Sequence, residues 1–344
     1  MAIGVVIVTY NAQDIIIDCL QSVVASLGVD VRPVVIDNGS TDQTVAVVES
    51  WAKQRSQSLQ SNKAEQDQAL VVPELVKSTD ALPGVPSNAI GLIASSQNLG
   101  FAGGVNLGIR SLMVLPEIDS FWILNPDCVA EPKTASRLLE KTAKYKEYGI
   151  VGGRVFYSEP KHMIQSDGGK VNFWTGTCIP FNMTKVGRST IPPQECELDY
   201  VSGAHMLVSR KFVERAGLMP EEYFLYYEEI DWCQRRGDLA LLFTSNAAVH
   251  HIGGYTVGSA KINKRPSPIA AYFMARSRIM FVLKYRPIAV PFALLYCVQK
   301  AVRHLVHGHQ QTAREVLRGT FGFGLSKDIQ RIIGRSKLPT QIRS

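Results

Sequence analysis

Runs of β-branched residues recur along the chain at the spacing of alternating strands and helices. Gly4–Val8 is a continuous rather than alternating apolar run, the pattern of a central parallel strand buried on both faces, and Val31–Ile36 reads as a second strand. Between them Ile16 and Leu20 share a face of a helix expected to run from an Asn11 cap to about Ala25. Ser40 and Gln43 have capping-box spacing, so a second helix is expected there, with Val45, Val48 and Trp51 or Ala52 inward. Two β-α units so close together predict an α/β fold with a doubly wound, mostly parallel sheet.

The pattern breaks over 54–87, where Ser, Gln, Lys and Glu and then Pro predominate, and an exposed insertion is expected. Ala89–Ala94 resumes as a strand, followed by a glycine-rich helix start and a helix to about Leu115. Phe121–Leu124 reads as a short buried strand, and a helix is expected from about Pro132 to Tyr148. Glycine pairs over 150–185 predict hairpins. Asp199–Val208 reads as a strand with Ser202-Gly203-Ala204 in its middle, Lys211–Gly217 as a short helix and Leu239–Thr244 as a strand. Residues 266–335 read as helices, which divides the chain into a body, 1–260, and a C-terminal helical segment, 261–344.

Charge sharpens that division. The 344 residues carry a net +7, yet the segment from Lys261 onward holds 16 Lys/Arg against 2 Asp/Glu, so the body is net negative. A basic segment on an acidic body points to a polyanion or an anionic membrane surface. No stacking-aromatic motif accompanies it, which argues against nucleic acid. Ile288–Val298 is apolar apart from Tyr296 and Cys297 and is bounded by Lys284, Arg286 and Lys300. Its length suits an interfacial or core-packed helix rather than a spanning one. The six cysteines are scattered without a CxxC pair, so free thiols and a cytosolic setting are expected rather than zinc or disulfides. Ile3–Val8 is too short for a signal peptide and has no basic residues before it.

The chemistry concentrates at strand ends. FWILNPDC presents Asn125 and Asp127 at the carboxyl end of a strand, where α/β sheets bind ligands, and a carboxylate there can hold Mg²⁺ or Mn²⁺. Read alone it is sooner an ordinary Asn-Pro-Asp turn closing a strand. Asp37 ends the second strand, either as a turn cap or as the acid that contacts a ribose or base. Gly100, Gly103 and Gly104 at a helix start allow close approach of backbone to a ligand. A helix from Glu228 puts Asp231 and Arg235 on one face and Glu229 among aromatics, a setting that tunes an acid as a general base. His250 and His251 follow the Leu239–Thr244 strand, and adjacent histidines rarely face the same way, so at most one is expected to ligate a metal.

VIVTYN, VIDNGSTD, NLGFAGGVNLGI, LNPD, YYEEIDWCQR and HHIGG occur in this order. The series closely resembles family 2 glycosyltransferases of GT-A fold, and most of all their rhamnosyltransferase-like branch, over roughly residues 1–285. The resemblance implies a Rossmann-like nucleotide-binding domain and an inverting transfer from a dTDP- or UDP-sugar, dTDP-rhamnose above all, to a saccharide or lipid-linked saccharide. The setting it implies is cell-surface polysaccharide synthesis at the inner face of a bacterial membrane, with the hairpin region lining the acceptor site. It places the nucleotide at Thr9, Tyr10, Asn11, Asp37, Asn38 and Ser40, and the sugar and diphosphate near Asn98, Gly100, Phe101 and Gly104. Asn125-Pro126-Asp127 stands where many members carry DxD, so Asp127 takes the metal with Asn125 as a neutral ligand. Glu229 stands where the family's base is usually Asp, with Glu228 and Asp231 as alternatives; His250, with His251 in reserve, takes the place of a metal-ligating histidine. Two rivals are weaker: a nucleotidyltransferase lacks a basic phosphate loop in VIVTYNAQD, and a non-catalytic sugar-nucleotide-binding subunit would not keep Asp127, Glu229 and Asp231. The oligomeric state is left open.

Overall fold

The computed structural model describes residues 2–61, 74–78, 82, 84–87, 89–253 and 265–333. Its strands are β1 (Ala2–Thr9), β2 (Asp30–Asp37), β3 (Glu74–Ser78), β4 (Ala89–Ala94), β5 (Ile118–Leu124), β6 (Cys128–Ala130), β7 (Tyr148–Tyr157), β8 (Ile164–Ser166), β9 (Gly169–Asn172), β10 (Thr177–Pro180), β11 (His205–Ser209) and β12 (Ala240–His251). The α-helices are α1 (Ile16–Val24), α2 (Thr44–Ser61), α3 (Gly100–Met113), α4 (Thr134–Thr142), α5 (Arg210–Ala216), α6 (Glu228–Gln234), α7 (Pro268–Tyr285), α8 (Val290–Val306), α9 (Gln310–Thr320) and α10 (Lys327–Ile333).

The main sheet runs β3-β4-β2-β1-β5-β11-β7-β12-β6, with β8 on β7; β9 and β10 form a separate hairpin. From β3 to β5 every pairing is parallel. β11 is antiparallel to both β5 and β7, so β5, β7 and β12 share one direction. The carboxyl ends of β1, β2, β4, β5 and β12 therefore open on the same edge of the sheet, where the chemistry-bearing loops gather.

β1 is buried along its whole length because each of its faces carries a core. Val6 and Val8 meet Val105, Ile109 and Leu112 of α3, while Ile3, Val5 and Ile7 meet the α1 side. α3 lies close enough to β1 that a Cβ on Gly104 or Gly108 would come within 2.5 Å of Val8 or Val6. These two glycines bring helix and strand together.

Several boundaries differ from the sequence-based expectation. α1 begins at Ile16; Asn11 adopts φ 50° and caps no helix. α2 begins at Thr44, whose backbone N–H donates to Asp42 Oδ1, while Ser40 is engaged with Asp37. α4 stops at Thr142, and Tyr148 already belongs to β7. Of the strand expected over 199–208, only His205 onward is extended. The region 54–87 is not simply an exposed insertion: α2 continues to Ser61, Glu74–Ser78 forms the edge strand, and Leu82 and Val85 are buried. The rest of that region lies outside the described residues. On the C-terminal side, Phe281 and Val282 of α7 belong to the same apolar core as β1 and α3, so α7 packs as part of the body. No described helix is long and apolar enough to cross a membrane.

Candidate active site

Three strand-end loops interlock at the parallel half of the sheet. Asn38 N–H donates to the Thr9 carbonyl at 2.8 Å, and Asn11 N–H donates to Ser40 Oγ at 2.8 Å. Asn11 Oδ1 in turn accepts from Thr41 N–H. Asp37 is buried; Ser40 donates to it through both its N–H (3.0 Å) and its hydroxyl (2.5 Å). Burial pushes the Asp37 carboxyl above its usual range, with the Ser40 bonds opposing. Asp37 thus shapes the loop, as the turn-cap reading has it. Asn38 Nδ2 donates to the Gly100 carbonyl at 2.8 Å, while Asn38 Oδ1 and Thr9 Oγ1 are buried without a hydrogen-bond partner. Two unsatisfied buried oxygens on neighbouring strand ends are costly unless a ligand or water completes them. Tyr10 lies half-buried between these loops.

The glycine-rich turn closes against protein. Asn98 Oδ1 accepts from Gly100 N–H, and Phe101 N–H donates to the Phe224 carbonyl at 3.1 Å. Gly100 sits at φ 75°, and a Cβ there would come within 2.7 Å of that carbonyl. Glycine is therefore required at 100 for contact with the 221–227 loop. Gly104, expected near the sugar and diphosphate, is buried against Val8, with Asn38 Nδ2 3.2 Å from where its Cβ would stand, so its small size serves helix packing.

At the carboxyl end of β5, Asp127 Oδ1 lies 3.0 Å from His251 Nε2, and Asp127 Oδ2 accepts from Gly253 N–H at 3.0 Å. Asn125 Nδ2 is 3.3 Å from the same His251 nitrogen. Burial tends to raise the Asp127 carboxyl, but His251 and two backbone N–H groups hold it below its usual range. The other ring nitrogen of His251 is 2.6 Å from Gln165 Oε1 on β8. With Nδ1–H donating to Gln165, a cation that took the place of the Nε2–H···Oδ1 hydrogen bond would find Nε2 and Oδ1 side by side as ligands. A carboxylate oxygen and an imidazole nitrogen, with Asn125 adjacent, suit a divalent ion. Cys128 completes a cluster with Asp127 and His251, but its thiol is buried against the Ala204 carbonyl and burial pushes it well above its usual range, so it stays protonated. His250 is turned the other way, stacked on Phe156 and 3.8 Å from Glu131. Strand alternation thus gives the place by Asp127 to His251, correcting the expectation for His250.

The acid loop is strained and pinned. Phe224, Tyr226 and Tyr227 have φ of 65°, 65° and 73°, rare for bulky residues. α7 holds them there. Ser277 Oγ donates to the Leu225 carbonyl, Tyr227 Oη donates to the Gly176 carbonyl, and Arg278 Nε donates to Tyr227 Oη at 3.0 Å. α6 follows at once. Glu228 is buried, and its Oε2 makes no hydrogen bond; burial and then the neighbouring Glu229 charge push its carboxyl well up. Glu229 is partly exposed, and burial of its carboxyl raises it to about 7. Gly203 lies against Glu229, within 3.2 Å measured from a Cβ on that glycine, and Ala204 accepts from Asn125 N–H at 3.0 Å. One turn, 202–204, therefore joins Glu229 to the Asn125–Asp127 turn.

Asp231 is fully committed. Tyr223 Oη and Lys284 Nζ donate to Oδ2 at 2.7 and 2.6 Å, and Arg235 Nε and Tyr285 Oη donate to Oδ1 at 2.5 and 2.9 Å. Burial opposes ionisation, but these partners leave its carboxyl below its usual range. With every lone pair used it is an anchor, and it drops out as an alternative base. The sequence gives no motif for Gln165, Lys284 or Tyr285, which reach the site from β8 and α7.

The arrangement is that of the GT-A fold: strand-end loops, an Asn-Pro-Asp turn and an acid helix on one sheet edge. The mannosyltransferase PcManGT from Pyrobaculum calidifontis, in complex with GDP-Man and Mn²⁺, has a TM-score of 0.51 at 14% identity, over 97% of this chain and 79% of that one. S. aureus TarS 1–349 in complex with UDP-GlcNAc has a TM-score of 0.50 at 14% identity, over 82% and 67%. Residues 4–64 match the family model for Glycosyl transferase family 2. The low-salt glycan biosynthesis hexosyltransferase Agl10 of Haloferax volcanii is 28% identical over 156 residues, 42% of this chain and 45% of that protein. An N-acetylglucosaminyl-diphospho-decaprenol L-rhamnosyltransferase of Mycobacterium tuberculosis is 26% identical over 178 residues, 46% of this chain and 58% of that protein. The match spans about half the length of these curated relatives. The resemblance to family 2 glycosyltransferases, rhamnosyltransferase-like members included, holds on these comparisons.

Proposed function

We propose that this protein is an inverting, metal-dependent glycosyltransferase that moves rhamnose from dTDP-rhamnose to a saccharide or lipid-linked saccharide during cell-surface polysaccharide synthesis, at the inner face of a bacterial membrane. The observation that carries the reading is the 202–204 turn, which packs on Glu229 at one end and hydrogen-bonds Asn125 at the other. It ties Glu229, read here as the base, to the turn that bears Asp127. The M. tuberculosis relative, by its name a rhamnosyltransferase acting on a diphospho-decaprenol, supports the choice of sugar and acceptor.

In this reading Thr9–Asn11 and Asp37–Ser40 seat the nucleotide, and the buried Thr9 and Asn38 oxygens accept hydrogen bonds from it or from water it orders. Asn98–Phe101 fix the loop over the sugar and diphosphate. Mg²⁺ or Mn²⁺, held by Asp127 and His251 with Asn125 beside them, supplies positive charge for the diphosphate. Gln165 keeps His251 in the tautomer that ligates. Glu229 takes the proton from an acceptor hydroxyl as that oxygen bonds to the anomeric carbon. The bond to the diphosphate oxygen breaks on the opposite face, the nucleoside diphosphate leaves with the electron pair, and the anomeric centre inverts.

The test is donor turnover with dTDP-rhamnose, UDP-hexoses and GDP-mannose, with product anomericity read by NMR. Release of dTDP and an inverted product is expected. Turnover of UDP-hexoses alone would replace the donor and keep the class; retained configuration would remove the mechanism.

A further inference from the structure

α8 is satisfied on one face only. Ala293, Cys297 and Ala301 are buried, the last two against Ala271 and Ala275 of α7 and Ala313 and Val316 of α9. The opposite face carries Ile288 (in the turn ahead of the helix), Phe292, Leu295, Val302, Leu305 and Val306. All are large and apolar, and exposure runs from 48% at Leu305 to 78% at Val306. Their spacing makes one stripe along the helix. Among the described residues nothing covers it, and a contiguous apolar patch of this kind marks an interaction surface.

The stripe does not end with the helix. Trp174, in the turn between β9 and β10, meets Phe292 edge-on with ring centroids 5.2 Å apart. Arg286 lies over the face of the same indole, 3.9 Å from its centroid. Charge then selects the occupant. From Leu239 to Arg314 the sequence holds no Asp or Glu; Lys300 and Arg303 lie on α8 itself, and Arg286 reaches the stripe over Trp174. Pairing two copies through α8 would bring cations against cations with no carboxylate on that helix to relieve them. An anionic bilayer offers acyl chains to the stripe and headgroup charge to its border.

We propose that the α8 stripe and Trp174 together form the face by which this protein docks on an anionic lipid bilayer, with Trp174 at headgroup depth. This assigns a defined surface to the membrane placement in the functional reading above, on which it rests. It also links docking to the site. The hairpin that carries Trp174 is held at Gly176 by Tyr227 and Arg278, and Tyr227 immediately precedes Glu228 and Glu229. Docking therefore fixes the height of the acid loop above the bilayer, where a lipid-linked hydroxyl arrives.

The experiment is cosedimentation of the full chain with phosphatidylglycerol–phosphatidylcholine vesicles and with phosphatidylcholine vesicles alone. Binding to the anionic vesicles at low salt, release near about 0.5 M salt and little binding to the neutral ones are expected. Trp174 fluorescence should shift to the blue and be quenched by brominated lipid, and Trp174→Phe should remove that quenching; Trp122 and Trp232 are buried. Phe292→Glu with Leu295→Glu should weaken vesicle binding by about tenfold or more. The same double variant should keep its circular dichroism and its donor turnover with a soluble acceptor. Failure of the intact protein to bind anionic vesicles at low salt, or binding indifferent to the double substitution, overturns the proposal. So does a concentration-dependent dimer that Leu295→Glu abolishes, which would give the stripe to a second copy. Vesicle binding with no sugar transfer from any donor would instead sink the glycosyltransferase reading and leave the surface standing.

Discussion

His251 Nε2 lies 3.0 Å from Asp127 Oδ1, while the adjacent His250 stacks on Phe156 on the other face of β12. The two histidines are one residue apart and do different work because a strand turns successive side chains to opposite faces. His251 has Asp127 in front of it and Gln165 behind it, whereas His250 faces Glu131 at 3.8 Å.

We therefore predict that Asp127→Ala and His251→Ala each weaken Mn²⁺ binding severely, that Gln165→Leu weakens it by roughly tenfold, and that His250→Ala leaves it within about twofold of the parent. Electron paramagnetic resonance titration with and without dTDP reads this directly. Retained Mn²⁺ affinity in His251→Ala, with loss in His250→Ala, would reverse the assignment.

Burial of its carboxyl raises Glu229 to about 7. A general base works only when deprotonated, so kcat/KM should climb with pH through about 7 and level above it. Glu229→Gln keeps the shape without the proton acceptor; turnover should fall by ~10²–10⁴ and the rising limb should disappear, with donor affinity retained. If Glu228→Gln produces that loss and Glu229→Gln does not, the base is the neighbouring residue.

Glu228 has a different signature. Its carboxyl is raised by burial and by Glu229, so it is neutral in the folded protein at pH values where the unfolded chain has it ionised. Stability from this group is complete below the unfolded value of about 4.3 and is lost as pH rises toward the folded one. Glu228→Gln removes the liability. It should raise stability by roughly 1–3 kcal/mol at pH 7 and by little at pH 4, measured by urea unfolding at both. A gain that is equal at the two pH values would refute the account.

For the nucleotide, Asp37→Ala frees Ser40 and through it Asn11, so the loop that seats the base and ribose loses its hub. Donor KM should rise by about tenfold, with a smaller change in kcat. Calorimetry should show dTDP binding in preference to GDP; tight GDP binding without dTDP or UDP binding would overturn the donor choice.

What was legible in the chain follows from how local each signal is. β1 is a continuous β-branched run because both of its faces are buried, β2 keeps such a run at Val34–Ile36, and their ends carry Thr9 and Asp37 where expected. Asp127 at the end of β5 was legible for the same reason. β3 was not, since Glu74–Ser78 is an edge strand whose Glu and Lys resemble the polar stretch before it. The 199–204 stretch was misread as extended because its turn is imposed by Glu229 packing on Gly203, a contact no local pattern records. Asp231 likewise looked available in EEID, and what occupies it, Lys284 and Tyr285, lies far along the chain on α7.

That last pair yields a sharper test of the C-terminal region than truncation. Lys284 donates to Asp231 Oδ2, and Asp231 is fully buried on the helix that carries Glu229. Lys284→Met keeps the aliphatic stem and removes the charge. Arg235, Tyr223 and Tyr285 remain, and Lys284 is partly exposed, so the loss at pH 7 should be about 1–2 kcal/mol rather than the larger cost of an orphaned buried charge. Asp231 is held below its usual range, so its stabilisation is present above the unfolded value of about 3.9 and fades as pH falls through the folded one. The difference between Lys284→Met and the parent should therefore shrink in strong acid. If the ion pair also sets the attitude of α6, kcat should drop several-fold while donor KM hardly moves, and Lys284→Arg should restore most of it. Urea unfolding at pH 7 and pH 3, with steady-state kinetics on the same preparations, decides. A Lys284→Met protein with parental stability at pH 7 and parental kcat would mean that Arg235 and the two tyrosines hold Asp231 unaided.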